Sequence, residues 1–269
     1  MYELYYWPGL QGRGEFIRLA LEDAGAPYID VARSPEHGGI KALQRLLAGE
    51  GAGALPPLAP PILRSGELLL AQVANILLYL APRLDLVGAD EASRHHAHQL
   101  QLTVADLVAE VHDTHHPIST ALYYEDQKPE ALRRSAAFVA QRLPKFLGYF
   151  EKIIAPEGFA IGGRHSYVDL SLFQVVEGLR YAFPRGMARV EPSTPRLIAL
   201  RDRVAARPRV AAYLASGRRI PFNEHGIFRR YPELDQAPLT GAPCGPRRGE
   251  PRPAPRGPAP RPTRPAAPG

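Results

Sequence analysis

One stretch, PPILRSGELLLAQVANILLY from Pro60 to Tyr79, constrains the fold of this chain more than any other. Ile62 to Arg64 and Glu67 to Ala71 read as two short strands joined by a two-residue turn at Ser65-Gly66. Gln72 then opens a helix whose apolar residues Val73, Ile76, Leu77 and Leu80 fall at i, i+3, i+4 and i+7. A hairpin running straight into a helix leaves unpaired N–H groups at the helix start, and such an end attracts carboxylates. Pro60-Pro61 invites a cis bond, because an X-Pro peptide needs only about 0.5–1 kcal/mol to adopt it.

The elements before this stretch give it a setting. Tyr2 to Tyr6 is aromatic and alternating enough for a strand. Trp7 to Gly12 is a loop by its Pro and Gly content, and Gly14 to Ala24 is a helix stopped by Gly25. Tyr28 to Ala32 can form a second strand, and Gly39 to Leu47 a further helix. Strand, helix, strand, helix, hairpin, helix within about eighty residues predicts an α/β unit whose first two strands are parallel. Beyond a linker at 84–91 only helical stripes occur. They are Leu100, Val104, Leu107 and Val111; then Val139, Leu143, Phe146 and Phe150; then Leu172, Val175, Val176 and Leu179; then Leu197, Leu200 and Val204 after Thr194-Pro195. The expected organisation is therefore an α/β unit over 1–83, an all-α domain over 92–217, an extended packed segment over 218–235 and a tail from 236 to 269.

Composition narrows the functional classes. The formal charge of the chain is +6, but the tail from Gln236 holds six arginines against one acid, Glu250, so the rest is nearly neutral. A folded part of that charge is not expected to bind nucleic acid. Eleven prolines and almost no large apolar side chain predict a disordered tail. No apolar run approaches the roughly 18 residues of a membrane span, and the YELYYWPG start carries no leader pattern. A single cysteine, Cys244, excludes an internal disulfide and points to a reducing, cytoplasmic setting. The excess of Arg over Lys has the look of a GC-rich bacterial gene.

Four pieces in order now carry a resemblance. Tyr6-Trp7 is followed after a short loop by Gly12-Arg13; Pro61 stands eleven positions before Gln72, with Gly66 between; a linker leads into helices; and Gly163-Arg-His-Ser166-Tyr-Val-Asp169 has the spacing of a helix capping box. Over residues 2 to 215 the chain resembles the cytosolic glutathione S-transferases. The resemblance implies a thioredoxin-like N-terminal domain followed by an all-helical C-terminal domain, glutathione as co-substrate with no further cofactor, a small electrophile as second substrate and a homodimer. It implies a catalytic tyrosine at Tyr6. Around it, Trp7, Arg13, Pro60, Pro61, Gln72 and Val73 would meet glutathione, and Asp106 would reach the amino group from the dimer partner. Ser166 and Asp169 would be structural. Two residues depart from the family pattern. Val73 replaces the usual Ser, removing a hydroxyl donor, and Pro60 has no N–H to give the cysteinyl part of glutathione.

The chemistry follows from the residue types. An ordinary thiol has a pKa near ~8.5, and only its thiolate attacks electrophiles well. A tyrosine O–H held against the sulfur favours the anion. Lowering the pKa by about two units needs about 2.7 kcal/mol, within reach of a charge-assisted hydrogen bond. Tyr5 and Tyr6 are rivals, since alternation turns only one of them to the site; the family pattern favours Tyr6. Leu10, His112, His116 and Tyr123 are candidates for the electrophile pocket. His112 and His116, spaced i, i+4 in HDTHH with His115, could hold a metal, but polar groups lining a cleft are the better reading and no metal is expected. His95, His96 and His98 read as a solvated face. The rival to an enzyme is a non-catalytic binding or assembly module of the same fold.

Overall fold

Leu4 and Tyr5, adjacent in the first strand, send their side chains to opposite faces of one small sheet, and the N-terminal half is built around that alternation. The computed structural model describes residues 1–236. Strands β1 (Tyr2–Tyr5), β2 (Tyr28–Asp30), β3 (Ile62–Ser65) and β4 (Leu68–Ala71) lie in the order β2-β1-β3-β4. β1 and β2 are parallel, joined by α1 (Gly14–Ala24), while β3 runs antiparallel to both β1 and β4. Helix α1 and α3 (Val73–Leu80) cover one face through Leu4, Ile17, Leu21, Leu63, Ile76 and Leu80. Helix α2 (Gly39–Leu47) covers the other through Tyr5, Val31, Leu43, Leu46 and Ile62.

The hairpin differs from expectation by one residue. Ser65 pairs with Leu68, so the turn residues are Gly66 and Glu67, not Ser65 and Gly66. Gly66, at φ +60°, is the first of the two, where a type II′ turn needs the left-handed region. The second strand is also shorter than Tyr28 to Ala32, because Val31–Arg33 close a 3₁₀ turn. The Pro60–Pro61 bond is cis.

The rest of the described chain is helical: α4 (Glu91–Asp113), α5 (Lys128–Ala137), α6 (Leu143–Ile153), α7 (Tyr167–Ala182), α8 (Pro184–Val190), α9 (Pro195–Ala205) and α10 (Pro208–Leu214). One π-helical turn at Phe138–Arg142 links α5 to α6, so the stripe from Val139 to Phe150 belongs to a longer helical run than its periodicity suggested. Helix α7 is buried on nearly every side, which its all-round apolar sequence requires. Its start is held by the capping box. The Asp169 carboxylate accepts from the Ser166 N–H at 2.6 Å, the Ser166 hydroxyl at 3.0 Å and the Ala160 N–H at 2.9 Å. The architecture is a thioredoxin-like N-terminal unit followed by an all-helical one.

Residues 218–235 form a strap along this body. Ile220, Ile227, Phe228 and Leu234 are buried, and the Asp235 carboxylate caps α8 by accepting from the N–H groups of Arg185 and Gly186 at 2.6 and 2.8 Å. The strap crosses the loop after β1: Gln11 donates to the Ile220 carbonyl, and Asn223 donates to the Gly9 carbonyl at 2.9 Å. Apart from Gln236, the tail expected to be disordered lies outside the described residues. Among the described residues no helix is long and apolar enough to cross a membrane.

Candidate functional site

Sheet register brings three of the sequence candidates to one edge. The last pairs of the ladder are Tyr5 with Ile62 and Ile62 with Ala71. One residue beyond them stand Tyr6, cis Pro61 and Gln72. The eleven-residue spacing between Pro61 and Gln72 is thus the length of the hairpin that carries one back to the other.

Tyr6 is 5% exposed and turns toward the start of α1, where its hydroxyl accepts the Arg13 backbone N–H at 2.8 Å. Two glycines make room for its ring: a Cβ on Gly14 would lie 2.6 Å from the ring Cγ, and one on Gly12 would overlap the hydroxyl. The Arg18 guanidinium sits 5.8 Å from the ring centre. Burial pushes the Tyr6 phenol up, against the lowering effect of the Arg13 N–H and the two guanidinium groups. The group is therefore a neutral O–H at neutral pH, able to donate while it accepts from Arg13. Tyr5 faces the other way. Its hydroxyl donates to Glu3 at 2.6 Å, and its ring packs with Leu43 and Leu46 under α2. Burial first, then the Glu3 carboxylate, raises its pKa.

Gln72 is exposed and lies at φ +70°, ψ 126°, a region few non-glycine residues occupy. Strain of this kind costs on the order of 1–3 kcal/mol and clusters at functional positions. It lets the backbone turn sharply from β4 into α3, leaving the first N–H groups of α3 without intrahelical partners. Arg13, Gln72 and Val73 line a cavity of about 360 Å³ with Phe16, Asn75 and, from α4, His98, Gln101 and Val104. His98 is therefore not part of a solvated face: its Nδ1 is buried with no hydrogen-bond partner, whereas His95 and His96 are exposed.

The remaining candidates scatter. Trp7 is at the surface, Leu10 is half-buried, and the Leu10 carbonyl accepts from Arg18. Asp106 lies on another side of α4, in a hollow lined by Phe146 and Tyr149, away from Gln72 within this chain. Tyr123 is 78% exposed; its neighbour Tyr124 is the one turned inward, stacked on Tyr231 and donating to Glu233 at 2.9 Å. His112 and His116 stack on each other, with His115 edge-on to both. Phe222, Ile227 and Phe228 of the strap reduce the hollow beside Gly12 to about 10 Å³. Periodicity did not single out Arg18, which is fully buried and bound to Asp30 at 2.8 Å and Glu15 at 3.4 Å. The available signal was a lone arginine inside the apolar run from Phe16 to Leu21.

Residues 112–217 match the family model of the glutathione S-transferase C-terminal domain. The likeness points to the glutathione S-transferase family. A glutathione S-transferase of Plasmodium falciparum (isolate 3D7) is 23% identical over 221 residues, covering 79% of this chain and 94% of that protein. Glutathione S-transferase A3 of Mus musculus is 28% identical over 225 residues, covering 82% and 92%. Among solved structures, prostaglandin synthase D of Nilaparvata lugens matches with a TM-score of 0.62 at 18% identity, over 82% of this chain and 100% of that one. At that identity the likeness speaks for the fold, and it agrees with the pairing of a thioredoxin-like and a helical unit.

Proposed function

We propose that the chain is a glutathione transferase of the tyrosine type, joining the thiolate of glutathione to small electrophiles. The observation that carries this reading is that the sheet register sets Tyr6, cis Pro61 and Gln72 side by side at one edge, with the Tyr6 hydroxyl turned to the start of α1 and Gln72 opening α3. The γ-glutamyl carboxylate takes the Val73 N–H at that start, and the Gln72 amide holds the same end of the tripeptide. The Pro60 carbonyl accepts the cysteinyl N–H, with no reciprocal donor because proline has none. The Tyr6 O–H, already accepting from Arg13, donates to the sulfur. Once the thiol proton has left to solvent, the sulfur lone pair forms the new S–C bond as the electrophile's leaving group departs with its electrons, or as its double bond takes them up. Trp7 and Arg13 flank the tripeptide, and Leu10, His112 and His116 face the second substrate.

A homodimer fits the same reading. Leu55 and Leu58, on the loop before Pro60, are 85% and 93% exposed, apolar area that a second copy would cover. Asp106 would then reach the α-amino group bound in the partner. The setting we assign is the cytoplasm, with no cofactor beyond glutathione.

The test is the ultraviolet absorbance of bound glutathione thiolate against pH, in wild type and Tyr6→Phe, after retention on immobilised glutathione. The midpoint is expected to rise by about two units in the variant. Equal midpoints in both proteins would remove Tyr6 from the activating role.

A further inference from the structure

Three imidazoles lie close together at the end of α4; two of them border the space proposed for the second substrate, and none forms or breaks a bond in the chemistry above. His112 lies in the last turn of the helix, and His115 and His116 follow its C-cap, Thr114. One ring nitrogen from each lies within 4.8 Å of the others. We propose that His112, His115 and His116 form a binding site for a late first-row divalent cation, with Zn²⁺ as its representative.

The tautomer of His115 is set by its partner. Its Nε2 lies 2.8 Å from the Ile227 carbonyl oxygen, which can only accept. Nε2 therefore carries the hydrogen, and Nδ1 presents its lone pair to the cluster. A histidine ligand anchored through its far nitrogen to a backbone carbonyl is the arrangement that orients imidazoles on metals. That Nδ1 lies 2.6 Å from the Nδ1 of His116. Without a metal, the His116 N–H fills this gap as a hydrogen bond; with one, that proton moves to Nε2 and both lone pairs turn to the ion. Two nitrogens at ~2.0–2.1 Å from a tetrahedral ion stand roughly 3.3 Å apart, so His116 has to withdraw by roughly 0.7 Å. It is half-buried, lies in a loop, and makes no other side-chain hydrogen bond among the described residues, so it can move.

The donor set and its surroundings fit such an ion. Imidazole suits Zn²⁺, Cu²⁺ and Ni²⁺ over Mg²⁺ or Ca²⁺. The C-terminal end of a helix favours a cation, and the Asp113 carboxylate stands 3.9 Å from His112 Nδ1. Arg13 and Arg229 act against it through the positive charge they bring near His112. Three protein ligands leave a fourth position open to water.

The test uses the full chain, stripped with a chelator and titrated with ZnCl₂ by calorimetry, with Co²⁺ as a spectroscopic probe. Wild type is expected to bind about one ion per chain and to show tetrahedral Co²⁺ absorption. His116→Ala, the ligand least tied into the core, is expected to weaken binding at least about tenfold and lose that absorption while keeping its circular dichroism. The double variant His95→Ala/His96→Ala, on the exposed part of α4, is expected to bind as wild type. Wild type that binds no stoichiometric Zn²⁺, an unchanged Kd in His116→Ala, or an equal loss in the His95/His96 variant would each overturn the assignment. None of these readouts involves glutathione, so they stand apart from the transferase reading.

Discussion

Gly12→Ala tests the seat of Tyr6 without touching the tyrosine. Gly12 lies at φ +46°, where an alanine costs about 1 kcal/mol. The larger effect is steric. The new methyl would overlap the Tyr6 hydroxyl and stand 2.8 Å from the ring Cε1 and Cζ. Restoring an ordinary carbon contact near 3.5 Å requires a shift of roughly 0.7 Å. The same shift stretches the 2.8 Å bond from the Arg13 N–H to roughly the limit of a hydrogen bond. If the hydroxyl keeps a bound thiol near a pKa of about 6.5, its displacement returns the thiol toward ~8.5. At pH 6.5 the thiolate fraction then falls about fiftyfold. Part of this is hidden in the rate, because nucleophilicity rises with pKa at a slope of ~0.4–0.5, or roughly eightfold over two units. Turnover should drop only about sixfold on that account, while the midpoint of the thiolate absorbance moves by the full two units. The titration is therefore the assay to use. Gly12→Ala in a Tyr6→Phe background should move the midpoint no further, since both changes remove one contact. A midpoint unmoved by Gly12→Ala, or shifts that add in the double variant, would refute the reasoning.

Three further outcomes concern the scaffold. Tyr167 is fully buried and its hydroxyl has no partner among the described residues, so Tyr167→Phe should raise stability in urea by about 1 kcal/mol. Asp169→Ala strands three donors at the start of the central helix and should cost about 4 kcal/mol, or prevent folding, whereas Ser166→Ala should cost about 1 kcal/mol. Burial works to raise the pKa of Asp23, but hydrogen bonds from His165 at 2.9 Å and Arg207 at 2.6 Å outweigh it and hold the carboxyl below its ordinary value. The folded pKa lies below the unfolded one, so ionised Asp23 adds stability above about pH 4 that is lost as pH falls through the folded value. Asp23→Asn should cost about 2 kcal/mol at pH 7, and its deficit against wild type should shrink between pH 4 and pH 2, as read from urea midpoints.

What could be read in the chain was local. The hairpin and α3 were legible because a glycine turn between two short strand-like runs leads into a period-3.6 pattern at Gln72, and α1 because Gly25 ends it at φ +66°. The turn was misplaced by one residue since Ser65-Gly66 and Gly66-Glu67 both contain the glycine, and only cross-strand pairing separates them. Helices α8 and α10 were passed over although Pro184 and Pro208 stand at their first positions, where proline is favoured. Each is seven residues long, too short for a stripe to repeat. Tyr123 and Tyr124 show the limit for aromatic pairs: the inward choice was decided by Tyr231 and Glu233, more than a hundred residues later.

The same reasoning separates the two halves of the candidate site. Tyr6, Pro61 and Gln72 are brought together by one small sheet, whose register is set by neighbours in sequence and by which residues are apolar. The hollow beside Gly12 is narrowed by the strap, through Gln11 with the Ile220 carbonyl, Asn223 with Gly9, and Phe228 resting where a Cβ on Gly178 would overlap its ring. Those contacts join positions up to 214 apart, and nothing periodic in either partner announces them. A thiol-activating corner can thus be argued from motif and register alone. On the proposed transferase reading, substrate breadth depends instead on how Phe222, Ile227 and Phe228 pack over Gly12. Changes in this strap should therefore alter which electrophiles are accepted while leaving the thiolate midpoint where Tyr6 puts it.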